Sequence, residues 1–130
     1  MKNTQTLSKE DMLLWKNAHF GKVNWRLVNK QLSAIKAEKP TTDAEEFIIE
    51  SLVPSIESFR SRLFEAKEVE DNPKSSRESK LFNVELTKHT FANMMFNIRV
   101  ASIMSSKSVK NYGMLVRLSA VNHLLRAAYN

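Results

Sequence analysis

Residues 22–36, KVNWRLVNKQLSAIK, decide the fold class of this chain. The apolar side chains of this stretch recur at spacings of three, four and three residues, which is the period of an amphipathic α-helix. They are Trp25, Val28, Leu32 and Ile35. The pattern stops before Pro40, because the residue preceding a proline is disfavoured in the helical region. Since the same period returns in every other long segment, the sequence predicts an all-α protein.

Two residue pairs at capping-box spacing mark the starts of further helices. Ser8 and Asp11 form the first pair, and Thr42 and Glu45 form the second. In such a box, a hydroxyl and an acid three residues later satisfy backbone N–H groups of the first helical turn. Pro54 lies inside the apolar stripe that follows the second pair. Because proline has no N–H, we expect this helix to be kinked or broken there.

Two more helices are predicted in the C-terminal half. A polar linker at about residues 70–79 precedes a long helix that extends to about residue 104, and Ser108 is a favourable N-cap for the last helix. The predicted buried stripe of that last helix comprises Val109, Tyr112, Val116, Ala120, Leu124 and Ala128, widened by Leu118, Val121 and Leu125. Together the segments predict one helical domain over residues 1–130, a bundle of four to five helices.

Composition excludes several classes of function. The chain has 130 residues, of which 42% are hydrophobic and 26% charged, with two glycines and no cysteine. The lack of cysteine excludes a disulfide framework, a thiol nucleophile and thiolate-bound metal. The N-terminal residues lack the apolar region of a signal peptide, and no apolar run approaches the ~20 residues of a membrane helix. We therefore expect a cytoplasmic protein without membrane contact.

No arrangement of polar residues indicates catalysis. His19, His89 and His123 lack the spacing of four residues that brings two helical histidines to one metal ion. No serine lies in a nucleophile-elbow sequence. Carboxylate pairs on the second helix would need facing acids to hold Mg²⁺, and the chain after that helix, from residue 72 on, offers only Glu78 and Glu85. We expect no enzymatic activity, no bound metal and no cofactor.

Charge is segregated along the chain. Residues 1–42 contain eight basic and three acidic side chains, whereas residues 43–71 contain three basic and nine acidic ones. Residues 86–130 contain six basic side chains and no acidic one. The bases of this C-terminal region are therefore not neutralised by neighbours in sequence.

The basic residues also lie at helical spacing. Lys22, Arg26 and Lys30 follow one another at four-residue intervals, so they line one face of a helix. A second basic line crosses the serine-rich junction of the C-terminal region and comprises Arg99, Lys107, Lys110 and Arg117. Lines of this kind neutralise closely spaced phosphates and release counterions. Both lines predict contacts with a nucleic-acid backbone, and the second is favoured because no acid lies in its segment.

Other interpretations of the same residues stay open. Basic helix faces are often simply solvated, and the acidic second segment could instead lie against the basic first and last ones. Trp15 and Trp25 border the first basic line, where an exposed tryptophan could stack on an unpaired base. Since aromatic residues dominate protein cores, the favoured interpretation is that both anchor the core.

The function we expect is that of a non-catalytic subunit of a larger nucleoprotein assembly, binding the backbone of RNA or single-stranded DNA without sequence preference. In size, helicity and basicity the chain resembles, in architecture only, the small helical subunits of CRISPR effector complexes. The alternative is a protein–protein adaptor or regulator of the phage or plasmid inhibitor type, whose segregated charge serves docking or self-association. Expected partners are therefore nucleic acid, other protein subunits or a second copy of the chain.

Overall fold

The computed structural model describes residues 7–129, except for the side chains of residues 106 and 107. Its α-helices are α1 (Lys9–Asn17), α2 (Trp25–Lys36), α3 (Asp43–Phe47), α4 (Val53–Asp71), α5 (Arg77–Ser108) and α6 (Tyr112–Arg126). A π-helical turn joins α3 to α4, so residues 43–71 form one rod and the described residues form five rods in all, without a strand. The predicted all-α bundle of four to five helices is confirmed.

Two helix pairs build the bundle. α4 and α5 form a hairpin across a connection of residues 72–76, which is shorter than the linker expected at 70–79. α2 packs along α6 as the second pair, and the core lies between the two pairs. Its largest fully buried side chains include Leu32, Ile35, Ile48, Leu52, Ile56, Phe59, Phe91, Met94 and Met114.

An aromatic cluster joins α1 to this core. The Trp15 ring lies 5.4 Å from the Phe91 ring between centroids, and the Phe20 ring lies 5.0 Å from the Phe59 ring. Trp25 packs against the same group, and its indole N–H donates a hydrogen bond to the Phe20 carbonyl at 3.2 Å. Both tryptophans are therefore core anchors, as the favoured interpretation of the sequence has it.

The helix that contains Pro54 is interrupted where the sequence predicts. Ile48–Leu52 form a π-helical turn, in which the Val53 N–H donates to the Ile48 carbonyl, five residues earlier. Pro54 is the second residue of α4 and follows this turn after Val53. Proline has no backbone N–H and so cannot donate to the carbonyl four residues earlier. The wider π-helical turn changes the hydrogen-bond pattern just before Pro54, so the rod continues into α4 without that donor.

The start and the buried face of α6 differ from the prediction. Ser108 ends α5, whereas the N-cap of α6 is Asn111, whose side chain accepts a hydrogen bond from the Met114 N–H at 3.0 Å. Tyr112 and Val116 are 77% and 50% exposed, so the predicted stripe through them is wrong. The buried residues of α6 are Met114, Leu118, Val121 and Leu125. The later start rotates the helix, so residues expected only to widen the stripe form its centre.

Candidate nucleic-acid interface

α2 and α6 lie side by side in opposite directions, which brings parts of both basic lines together. The Asn111 side chain, just before α6, donates to Glu38 Oε2, just after α2, at 3.2 Å. Further along the pair, the Arg117 guanidinium donates to Gln31 Oε1 at 3.2 Å. As positions on α6 rise, their neighbours on α2 therefore fall. The pairing sets Arg117 beside the turn of α2 that also carries Lys30.

The α2–α6 surface, as we call it, is the outer side of this helix pair with the residues that flank it. It comprises Arg26, Lys30, Lys110, Tyr112 and Arg117. Lys22 lies ahead of α2, at the end of a 3-10 turn (Phe20–Lys22), so the predicted line of Lys22, Arg26 and Lys30 on one helix is wrong for Lys22. Arg26, Lys30 and Lys110 are exposed, and Arg117 is half-buried against Gln31. Neither α2 nor α6 contains an acidic residue. Lys36, at the end of α2, lies towards α4 instead and forms an ion pair with Glu57 at 3.0 Å.

Arg99 belongs to a different place in the fold. Its guanidinium makes two hydrogen bonds to the Asp11 carboxylate, one of them at 3.0 Å, and so ties α5 to α1. Asp11 is buried, and the hydrogen bond from Arg99 holds its pKa below the usual range. The structure thus gives Arg99 an acidic partner away from the α2–α6 surface. The side chain of Lys107 lies outside the described residues, so its prediction stays untested.

The backbone ahead of α6 already holds a carboxylate. Glu45 is fully buried, and its Oε2 accepts hydrogen bonds from the N–H groups of Lys110 at 2.6 Å and Asn111 at 3.0 Å. Its Oε1 accepts from the N–H and the hydroxyl of Thr41, both at 2.9 Å. These donors, the Thr41 N–H foremost, lower the pKa of Glu45 to about 2 against the burial that opposes ionisation. Since backbone N–H groups at helix starts attract anions, Glu45 occupies a place that a phosphate could otherwise take.

Tyr112 is the residue of this surface that the sequence analysis misplaced. It is the first residue of α6 and is 77% exposed, close in sequence to Lys110. An exposed aromatic ring beside cationic side chains can stack on an unpaired base. The signal that could have found it is Asn111, since asparagine is as good an N-cap as serine. Starting the helix at Asn111 instead of Ser108 would have removed the reason to place Tyr112 on the buried stripe.

An apolar cavity of about 320 Å³ lies between α5 and α6. Its walls are mainly phenylalanine, methionine, isoleucine and leucine side chains, with Ser102, Asn122, Arg126 and Tyr129 among the polar ones. No acid or histidine lines it, and burial raises the pKa of Tyr129 to about 12, so the cavity offers no acid–base pair near neutral pH.

Other site types find little support in residues 7–129. No cluster of three or more acidic or histidine side chains in this range is arranged to hold a metal ion. None of the helices described there combines the length and the apolar character needed to cross a membrane. Comparison of the chain with protein-family models, with curated proteins and with solved structures gave no match.

Proposed function

We propose that this protein binds the phosphate backbone of RNA or single-stranded DNA through the α2–α6 surface, without catalysis, as a subunit of a larger nucleoprotein assembly. The observation that carries the proposal is the pairing of two helices that contain no acidic residue and present Arg26, Lys30 and Arg117. A cationic face of this kind replaces condensed counterions on nucleic acid, and their release drives binding.

The layout of the cations supports contact with successive phosphates. Arg26 and Lys30 lie one turn apart on the exposed side of α2, about 6 Å along the helix axis. Arg117 lies on the neighbouring helix, held against Gln31. A guanidinium fixed in this way donates its remaining N–H groups to a phosphate at a smaller loss of side-chain entropy than a free arginine.

The exposure of Tyr112 and the position of Glu45 are the reasons for proposing a single strand that is bound without sequence preference. Tyr112 supplies an exposed ring on which an unpaired base can stack, which favours single strands over duplexes. Because Glu45 already fills the backbone site ahead of α6, we propose that phosphate contacts on α6 come from side chains. Side-chain contacts to phosphate carry no sequence information, so affinity should vary little between sequences of equal length.

A titration of labelled oligonucleotides tests the proposal. We would measure fluorescence anisotropy with single-stranded RNA, single-stranded DNA and duplex DNA of equal length, at two salt concentrations. The Arg26→Glu, Lys30→Glu double variant should bind all of them more weakly. Its plot of log affinity against log salt should be flatter by roughly 1 for each phosphate that the variant no longer neutralises.

The matched control is the Lys74→Glu, Arg77→Glu double variant. It changes the net charge by the same amount, but at exposed residues near the α4–α5 connection. It should stay close to the wild type in affinity and in salt dependence. Equal weakening of both variants would show that net charge alone drives binding, and a wild type that does not bind even at low salt would overturn the proposal.

A second candidate function is docking to an acidic protein partner. The observation that favours it is the presence of exposed apolar side chains, Leu27 and Val116, on the same two helices as the bases. Exposed apolar residues among like charges suit a protein partner that carries acidic and apolar groups. If the oligonucleotides do not bind, the Arg26→Glu, Lys30→Glu variant should instead lose a protein complex.

A further inference from the structure

α5 is apolar on two opposite sides. Phe91 and Met94 lie on the side that is buried in the core. On the side that faces solvent, Phe82, Phe96 and Ile103 are 63%, 53% and 73% exposed. A surface helix normally turns charged residues to solvent, so an apolar outer side over this length calls for a partner.

The outer side of α5 has the spacing of a coiled-coil seam. Phe82, His89, Phe96 and Ile103 recur every seven residues, and Leu86, Asn93 and Val100 follow the first three of them at four residues. Alternating steps of four and three keep side chains on one edge of a helix, where a second helix can pack against them. We call these residues the α5 seam. It spans about 32 Å, or six turns of helix.

We propose that the α5 seam joins two copies of this chain in a homodimer, an interaction that goes beyond the proposed nucleic-acid binding. Each copy carries a net charge of +6, so two copies repel each other overall. The seven seam residues include no lysine, arginine or carboxylate, and Lys107 takes the next position of the same spacing, four residues after Ile103. The acid beside the seam, Glu85, forms an ion pair with Lys88 of the same helix at 3.4 Å. A near-neutral apolar strip is a face on which two such copies can meet.

Asn93 argues for a second copy over an unrelated partner. It is exposed and lies in the middle of the seam, between Phe82 and Ile103. In a two-fold symmetric pair, each patch meets its own counterpart. Two α5 helices can pair in parallel or in antiparallel orientation. In both cases, two-fold symmetry about the middle of the seam places Asn93 of one copy against Asn93 of the other. A buried asparagine pair of this kind fixes the register of coiled-coil dimers.

The exposed side chains of Phe82, Phe96 and Ile103 supply about half of the area that a standard dimer interface buries on each partner. Covering a phenylalanine completely buries about 150–250 Å², so Phe82 and Phe96 with Ile103 offer on the order of 300–400 Å² per copy at their present exposure. A standard interface buries about 800 Å² per partner. The half-buried members of the seam and Leu81, which is 54% exposed, add to this area.

Sedimentation equilibrium over a range of protein concentrations, without nucleic acid, tests the proposal. The wild type should approach twice the chain mass of 15.0 kDa. Phe96→Asp and Asn93→Lys should each remain monomeric. Asn93→Lys places two like charges face to face at the centre of the seam, and Phe96→Asp replaces an apolar contact with a charge that the interface would bury. Both positions are exposed, so both variants should keep the wild-type helical circular dichroism, and their melting temperature should fall only by the contribution of dimerisation, which vanishes at low protein concentration.

The matched control for Phe96→Asp is Val116→Asp. It introduces the same negative charge at an exposed apolar residue of α6, away from the seam. It should dimerise as the wild type does. A monomeric wild type, dimers that persist in both seam variants, or a monomeric Val116→Asp would each overturn the proposal. The dimer and the nucleic-acid binding can fail separately. The seam variants leave the α2–α6 surface unchanged, so the proposed function predicts that they bind oligonucleotides whether or not they dimerise.

Discussion

Glu45 joins the start of α3 to the start of α6, through two hydrogen bonds from Thr41 and one each from the N–H groups of Lys110 and Asn111. Only the ionised carboxylate accepts all of them, which is why its pKa falls to about 2 from the ordinary 4.5. A lowered carboxyl pKa stabilises the folded state above the unfolded pKa. This contribution is therefore complete above about pH 4.5 and disappears as the pH falls towards about 2.

Glu45→Gln should lower the free energy of unfolding by about 1–3 kcal/mol at pH 7. The variant replaces one carboxylate oxygen, which accepts hydrogen bonds, with an amide nitrogen that cannot accept them, so two N–H or O–H donors lose their acceptor. Urea unfolding at several pH values measures this, and the gap from the wild type should narrow as the pH falls below about 4.5. The control is Glu46→Gln, at an exposed neighbour whose pKa is raised by Glu50, and it should cost nothing. A gap that is the same at all pH values, or equal in both variants, would contradict this account of Glu45.

The sequence predicted local partners of single residues but not distant ones. The Thr42 hydroxyl accepts a hydrogen bond from the Glu45 N–H at 3.2 Å, as the capping-box spacing predicts. The other partners of Glu45, at Lys110 and Asn111, are 65 and 66 residues away in sequence, and spacing along the chain contains no information about them. The same holds for Arg99, which looked free in an acid-free segment and is held by an acid 88 residues earlier.

At the scale of helices, Pro54 illustrates how an unfavourable residue is accommodated. The π-helical turn before it removes the need for a backbone donor at this position. Pro54→Ala should therefore change the free energy of unfolding by less than about 1 kcal/mol. Ser58→Pro, one turn later at an exposed position inside α4, should cost about 3 kcal/mol or more because it breaks a regular helical hydrogen bond. Chemical denaturation of both variants measures the difference, and equal costs would contradict the role given to the turn.

Periodicity predicted α2 well and α6 poorly, for a physical reason. Val28, Leu32 and Ile35 of α2 are buried as expected, because this helix has one apolar side. α6 has apolar residues on several sides, so its sequence permits more than one rotation in the bundle. Choosing Ser108 instead of Asn111 as its N-cap then put Val116 inside. Packing against α2 and the rest of the core decides which side is buried, and a single sequence does not contain those contacts.

At the scale of the whole molecule, the acidic and basic segments of the sequence lie on different helices of the bundle. The acid-rich residues 43–71 form the rod of α3 and α4, whereas the acid-free α2 and α6 pair with each other. The sequence predicted both basic lines, but it could not predict that Lys30 and Arg117 lie on adjacent helices while Arg99 is tied to α1. That arrangement is the basis of the proposed binding surface.

Lysine footprinting tests this central claim most directly. Lysines would be acetylated in the presence and absence of saturating single-stranded RNA at low salt, and their modification measured by mass spectrometry. We predict that bound RNA protects Lys30 and Lys110 of the α2–α6 surface, whereas Lys67 and Lys74, exposed on the α4–α5 hairpin, stay reactive. Unchanged reactivity of Lys30 and Lys110, or protection centred on Lys67 and Lys74, would contradict the account.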